Sequence, residues 1–431
     1  MRNTIKPKKK VNNDPLKTYL NRQKIFLPRI SEVPADDLQF CIVIPSYNEP
    51  GLLKTLDSVR SSDLPARAAE VIIVVNSSES SENDVLVQNE HTIKEIIDYK
   101  EQYDSYRLKF HYIHCYRVSD KIAGAGYARK AGMDEAISRF NISGNPDGII
   151  ISLDADTLCK PNYFTEIENF YKKYINATGC NIYFEHYPDN VNDRVLEKNI
   201  ISYELYLRYY SEALRFIGFP YYYHTIGSCF TVKAAAYCKQ GGMGIKQAGE
   251  DFYFLQKLFY LGNYYELNTT VVYPSGRISD RAIFGTGPSL GKMDDSGEFR
   301  VYSLKSFLLF KNLFEKTGQL YSANYENIIC NFPLIFKDYL DYTGFNKNLE
   351  GLKKNASNLS VFKKRFFHIF NNLFVIKGLN HLSRNGYEKE PVLKTANELL
   401  KELNHVGIYN EPELLNFYRK IQKERGITFL Q

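Results

Sequence analysis

The sequence predicts an α/β fold: a Rossmann-like, mainly parallel sheet flanked by helices, followed by a mostly helical C-terminal region. Three observations carry this. Short apolar runs at Phe40–Ile44, Val71–Val75 and Ile149–Leu153 recur through the first half of the chain, as strands buried on both faces of a parallel sheet do. Stretches with helical apolar spacing alternate with them, which argues for strand–helix–strand units. From about Tyr302 to the end the spacing is helical, with polar connections.

Residues 1–37 read as a basic tail and lead-in, with Lys6, Lys8, Lys9 and Lys10 around Pro7. Residues 38–290 form the expected α/β domain and 291–431 the helical region. Within the domain, Pro45 ends the first strand. Asn48-Glu49-Pro50-Gly51 then opens a helix, with Asn48 suited to cap it and Pro50 to its first turn. The second strand is followed by a polar loop, Asn76 to Asn83, and a helix with Ile93, Ile96 and Ile97 on one side. A third strand covers about Lys109 to Val118, and a helix follows Gly124-Ala125-Gly126 and runs to about Phe140. Beyond Thr157, helices are expected at Tyr163–Tyr174, Val195–Phe216 and Gly249–Leu261, the last stopped by Gly262. Phe230–Ala236 and Val271–Tyr273 read as short extended pieces.

Composition narrows the function classes. The 431 residues are 44% hydrophobic and 24% charged, enough for a sizeable core. The formal charge of +6 is modest; it suits acidic ligands and gives no support for specific nucleic-acid binding. The seven cysteines are scattered, and no two form a CxxC pair, so neither a disulfide framework nor a zinc knuckle is expected. A reducing, cytoplasmic setting fits them. The first thirty residues lack an apolar signal core, and no stretch approaches the roughly 20 apolar residues that span a bilayer.

Leu153-Asp154-Ala155-Asp156-Thr157 is the most informative segment. Residues two apart in an extended chain point the same way, so Asp154 and Asp156 share a face at the strand's carboxyl end, where open α/β sheets bind ligands. Two adjacent carboxylates repel unless a cation neutralises them. Mg²⁺ or Mn²⁺, held by one or two carboxylates and completed by phosphate oxygens, does so. The plain alternative is a turn, in which Asp is common.

Other segments offer paired readings too. Pro45-Ser46-Tyr47-Asn48-Glu49 after the first strand suits a nucleotide base, with the Tyr47 ring against it; helix capping explains Asn48 equally well. Asn76 suits a base or ribose, or a turn. The glycines of Lys121 to Arg129 let backbone approach a phosphate or a neighbouring strand, with Lys121 and Arg129 available to a diphosphate. In Gly249-Glu250-Asp251, Asp251 suits a general base or a helix N-cap. Arg277, Asp280 and Arg281, with Gly285, Thr286 and Gly287 beyond, suit a flap over a diphosphate or acceptor, or a solvated loop with an internal ion pair.

Together these segments resemble family 2 glycosyltransferases over roughly 40–287. The strand with Pro45-Ser46-Tyr47-Asn48-Glu49, then Leu153-Asp154-Ala155-Asp156, then Gly249-Glu250-Asp251 carry the resemblance by their order and spacing. It implies the GT-A fold, with Tyr47, Glu49 and Asn76 lining a nucleotide pocket. By the same resemblance, Asp154 and Asp156 hold the metal and diphosphate, and Asp251 is the base of an inverting transfer. Gly227-Ser228 resembles the small-residue loop facing the donor sugar, and Glu250 belongs to the same site. The implied partners are a nucleotide-sugar donor, UDP- or GDP-linked, and a saccharide or lipid-linked acceptor.

Two departures stand out: Asn76 replaces the usual acidic residue, and the Trp-containing signature of processive synthases is absent. Competing expectations are a retaining GT-A enzyme, a sugar-phosphate nucleotidyltransferase, which calls for a Gly-rich basic loop after the first strand, and a non-catalytic nucleotide-sugar-binding module. The C-terminal region, with Ser303–Phe314, Val361–Val375 and the basic run Phe362-Lys363-Lys364-Arg365-Phe366-Phe367, suits either a packed helical subdomain or peripheral contact with the inner face of a membrane.

Overall fold

The computed structural model describes residues 14–22, 28–187, 193–247, 249–277 and 298–429. The chain forms two compact units that interleave in sequence: Met1–Cys180 with Gly227–Phe254, and Asn181–Ile226 with Leu255–Gln431. The basic tail at Lys6–Lys10 and the expected boundary at 290/291 lie outside the described residues.

The first unit is built on β1 (Phe40–Ser46), β2 (Ala69–Ser78), β3 (Leu108–Val118), β4 (Ile149–Ser152), β5 (Thr157–Cys159) and β7 (Phe230–Lys233). Five of them lie in the order β7-β4-β1-β2-β3. β1 is central and parallel to both neighbours, with Phe40 opposite Ala69 and Ile149, and only β7 runs antiparallel. Phe40 to Ile44 are wholly buried, which is why this strand reads as a continuous apolar run rather than an alternating one.

Helices α2 (Leu52–Arg60), α3 (Asn83–Tyr103), α4 (Ala125–Ile142) and α5 (Tyr163–Lys173) connect the strands, and α7 (Ala234–Lys239) follows β7. α4 packs on β1 and β2 and is buried on almost every side. Its charged residues are therefore paired: Lys130 with Asp134 at 2.8 Å, and Arg139 in a two-armed pair with Glu70 of β2. α1 (Pro15–Arg22) docks on α4 through Tyr19, whose hydroxyl donates to Asp134 at 2.6 Å.

Several local expectations are corrected. Asn48 does not cap α2; it sits at φ 51°, and the cap position is Gly51. The buried face of α3 is Leu86, Asn89, Ile93 and Ile96, while Ile97 is exposed. β2 continues past Asn76 to Ser78.

The second unit holds most of β6 (Gly179–Phe184), α6 (Arg194–Phe216) and β8 (Tyr264–Pro274). α8 (Glu250–Leu261) enters it from the first unit and stops at Gly262, φ 76°. A last strand, Ile427–Phe429, runs antiparallel along β8, and β6 lies on β8's other side. β8 is much longer than the three residues expected, and β6 and the last strand were not expected. Helices make up most of 304–424, interrupted by the short strand Glu390–Pro391, which pairs antiparallel with Arg300–Val301. Phe362 and Phe366 are fully buried among the helices, so the basic run packs its rings inward, and Lys363, Lys364 and Arg365 face out. Inside the unit, buried Glu204 takes two hydrogen bonds from Arg419, both 2.8 Å, and pairs with Arg208. Among the described residues no helix is long and apolar enough to cross a membrane.

Candidate active site

The carboxyl ends of β1, β2 and β4 gather the expected residues. After β1, Tyr47 and Asn48 are partly buried and Glu49 is buried. Glu49 accepts from the Gly51 N–H at 2.9 Å, which fixes the entry into α2. One side chain ties this loop to β2. The Asn48 N–H donates to Asn89 Oδ1 at 3.0 Å, and Asn89 Nδ2 donates to the Asn76 carbonyl at 3.0 Å. Sequence reasoning missed Asn89. Its signal was a polar residue on an apolar stripe, at helical spacing from Leu86 and Ile93. Asn76 is buried, and Pro45 is partly exposed at the end of β1.

The acidic pair follows β4 on a tight turn, closed by the Thr157 N–H donating to the Asp154 carbonyl at 3.1 Å. Leu153 and Ala155 are buried and Asp154 and Asp156 partly exposed, but β4 ends at Ser152, so the pair lies on a turn and not on the extended strand end expected. Thr55 of α2 donates to the Ala155 carbonyl at 2.9 Å and pins the turn.

Arg129 is the centre of the site. It lies in the first turns of α4, buried, and its guanidinium forms ion pairs with Asp154 through one terminal nitrogen and with Glu250 through the other. Burial opposes its charge, but Asp154, Glu250 and Asp251 outweigh that and hold its pKa above the ordinary value. Two glycines make the approach possible. A Cβ on Gly227 would stand 2.4 Å from a guanidinium nitrogen of Arg129, and one on Gly126 2.2 Å from the Lys246 carbonyl oxygen. The Gly124–Gly126 segment therefore serves close packing at the start of α4. Lys121 is exposed on the turn before it.

Asp251 sits inside the first turn of α8. The helical hydrogen bond from Tyr253 ends on the carbonyl of Gly249, so Asp251 is not the cap. Its Oδ1 accepts from the Phe252 N–H at 2.7 Å. Burial, then the neighbouring charge of Glu250, push its carboxyl up to about 6, against the pull of Arg129. Such a group is a proton acceptor near neutral pH.

The structure thus brings Arg129, Asp154, Gly227, Glu250 and Asp251 together. Ser228 is buried beside them in sequence. Arg277 belongs to the second unit, where its N–H donates to Ser275 Oγ at 3.2 Å. Arg281, Asp280 and Gly285–Gly287 lie outside the described residues. Among the described residues no three or more His, Cys, Asp or Glu side chains are grouped to hold a metal ion, and one oxygen of Asp154 is already taken by Arg129. The donor set therefore fits only a cation that draws most of its ligands from a bound diphosphate, as Mg²⁺ and Mn²⁺ do in phosphate sites.

A parallel α/β layer with acidic residues at its carboxyl edge places the candidate site where open α/β sheets bind ligands. Residues 41–238 match the model for glycosyl transferase family 2. That segment, a little under half of the chain, is a family 2 glycosyltransferase domain, and the enzyme class it supports is glycosyltransferase. The match ends before Glu250 and Asp251. No curated protein matches the chain. Among solved structures, Staphylococcus aureus TarS 1-349 is 12% identical, with TM-score 0.37, over 81% of this chain and 92% of that one. The same protein in complex with UDP-GlcNAc gives 11%, 0.39, 81% and 92%. GalNAc-T7 with UDP, GalNAc and Mn²⁺ gives 13%, 0.38, 67% and 52%. Likenesses this remote carry neither substrate nor mechanism to this chain.

Proposed function

We propose that this glycosyltransferase moves a sugar from a UDP- or GDP-linked donor to a hydroxyl of a saccharide or lipid-linked acceptor, with inversion, in glycan or glycolipid biosynthesis. The observation that carries the reading is Asp251, a carboxylate with its pKa raised to about 6, in the first turn of α8 beside the Asp154–Arg129–Glu250 group. Asp251 takes the proton of the acceptor hydroxyl as its oxygen bonds to the anomeric carbon. The bond from that carbon to the diphosphate oxygen breaks, and the nucleoside diphosphate leaves with the electron pair. Tyr47, Glu49 and Asn76 border the nucleotide side, and Ser228 with Gly227 the donor-sugar side. Asp156 and Asp154 would hold a divalent cation, which would supply charge neutralisation of the leaving diphosphate. A cytoplasmic location, with peripheral contact at the inner membrane face through the C-terminal region, is part of the proposal. It draws on cysteines that form no disulfide and on the basic surface of that region.

The deciding experiment is donor binding and turnover across a panel of nucleotide sugars, with Mn²⁺, Mg²⁺ or EDTA, for wild type and Asp156→Ala. One donor should be turned over with metal and lost with EDTA or in the variant. A folded wild-type protein that binds no donor with metal present would remove the reading. A product with retained anomeric configuration would remove the role of Asp251.

A further inference from the structure

We propose that Arg129 is a positioning residue of the transfer reaction, a clamp that fixes the donor-side turn of Asp154 to the first turn of the helix bearing Asp251. This rests on the transferase reading above. Three segments far apart in sequence meet on this one guanidinium: the Asp154 turn after β4, the Gly227 loop before β7, and Glu250 at the start of α8. The two ion pairs use different terminal nitrogens. The planar fork of arginine can span two carboxylates in this way, whereas a lysine ammonium is a single point on a flexible stem.

The clamp is also built from the other side. Gly227 has no Cβ where one would strike the guanidinium, and Gly126 leaves room for Glu250, whose Cβ would lie 3.1 Å from an added methyl. Arg129 itself is 5% exposed and Glu250 equally so, so neither pair is a screened surface contact. Asp251 follows Glu250 directly. Its place relative to the donor turn is therefore tied to the ion pairs of Arg129 with Glu250 and Asp154, and Asp251 itself also feels the charges of Arg129 and Asp154.

The Nε–H of Arg129 is buried without a hydrogen-bond partner among the described residues. Direct contact with a donor oxygen is thus the competing role, and the two roles differ in what they predict. Transfer depends steeply on geometry, and a displacement of about 1 Å can cost roughly 10²-fold.

The test uses the full chain with Arg129→Lys and Arg129→Met. The first readout is hydrogen–deuterium exchange of the ligand-free protein at 153–158 and 249–255. A clamp predicts exchange faster by roughly tenfold in both segments, with both variants folded by circular dichroism. If either segment keeps its wild-type exchange in both variants, the clamp is overturned. The second readout is steady-state kinetics with the donor found in the panel. Arg129→Lys should lower kcat by roughly 10²-fold with donor KM within a few-fold of wild type. A large rise in donor KM with kcat preserved would make Arg129 a donor ligand and end the positioning role. Should Arg129→Met fail to fold, Glu250→Gln removes the other arm and is read in the same exchange assay. Absence of any donor turnover by wild type counts against the proposed function, while the exchange result still decides the clamp.

Discussion

At the scale of single residues, Asp251 has the sharpest consequence. Its carboxyl is pushed up to about 6, first by burial and then by Glu250. It accepts a proton only when ionised, so kcat/KM should rise with pH through about 6 and level off above it. Asp251→Asn keeps the size and removes the base; it should lose about 10²–10⁴-fold in kcat/KM and flatten the acidic limb. The same shift has a stability sign. A carboxyl whose folded pKa lies above its unfolded value binds its proton more tightly when folded. Ionising it therefore destabilises the fold, and stability falls as pH rises from about 4 to about 6. Asp251→Asn should abolish that loss, seen as a flatter thermal-midpoint profile over the same interval. A wild-type rate profile with no acidic limb would dismiss Asp251 as the base.

At the scale of elements, the legible parts were those whose burial pattern has one cause. β1, β2 and β4 are buried on both faces, so their runs are continuous and apolar, and the acidic pair after β4 was legible in place though not in form, since it lies on a turn and not on an extended strand end. Less legible were β6, Gly179-Cys-Asn-Ile-Tyr-Phe, and β8, whose Glu266 and Asn268 are buried polar residues. There tertiary partners, not apolar pattern, decide the strand: Arg215 and Thr428 both bond the Glu266 carboxylate. For Arg129 the sequence leaves a diphosphate contact and a packing turn both open, because one sequence does not show that Asp154 and Glu250 converge on it.

Asn89 stands out in the sequence only as a polar residue on an apolar stripe, and its role is hidden for a similar reason: its two partners are backbone groups elsewhere in the chain. Its role predicts that Asn89→Leu, close in size but unable to bond, leaves the Asn48 N–H and the Asn76 carbonyl without this partner. That should cost about 1–3 kcal/mol of stability. Because both groups border the proposed nucleotide pocket, the affinity for UDP or GDP, by calorimetry, should fall as well. A variant as stable as wild type with unchanged nucleotide affinity would show that Asn89 does not hold the pocket.

At the scale of the whole molecule, charge is distributed unevenly. The segment 343–385 holds eight Lys and Arg residues against one Glu, while the entire chain carries only +6. Lys363, Lys364 and Lys377 are exposed there, and Leu359, Ile369 and Leu373 are 39%, 43% and 36% exposed among them. An anionic lipid surface offers both a negative potential and an apolar boundary, with about 1 kcal/mol for each basic residue near the headgroups. The aromatic rings of the same helices are committed elsewhere: Phe362, Phe366 and Phe370 are buried. Contact would then be electrostatic and shallow, without deep insertion. Co-sedimentation with vesicles containing anionic lipid should occur at low salt and fade towards 1 M, where the Debye length falls to about 3 Å. Vesicles of neutral lipid should not bring the protein down. Lys363→Glu with Lys364→Glu should weaken binding while leaving donor hydrolysis intact, since neither residue belongs to the unit that carries Asp251. No binding to anionic vesicles at low salt would mean that these charges form a solvated face and that the acceptor is met in solution.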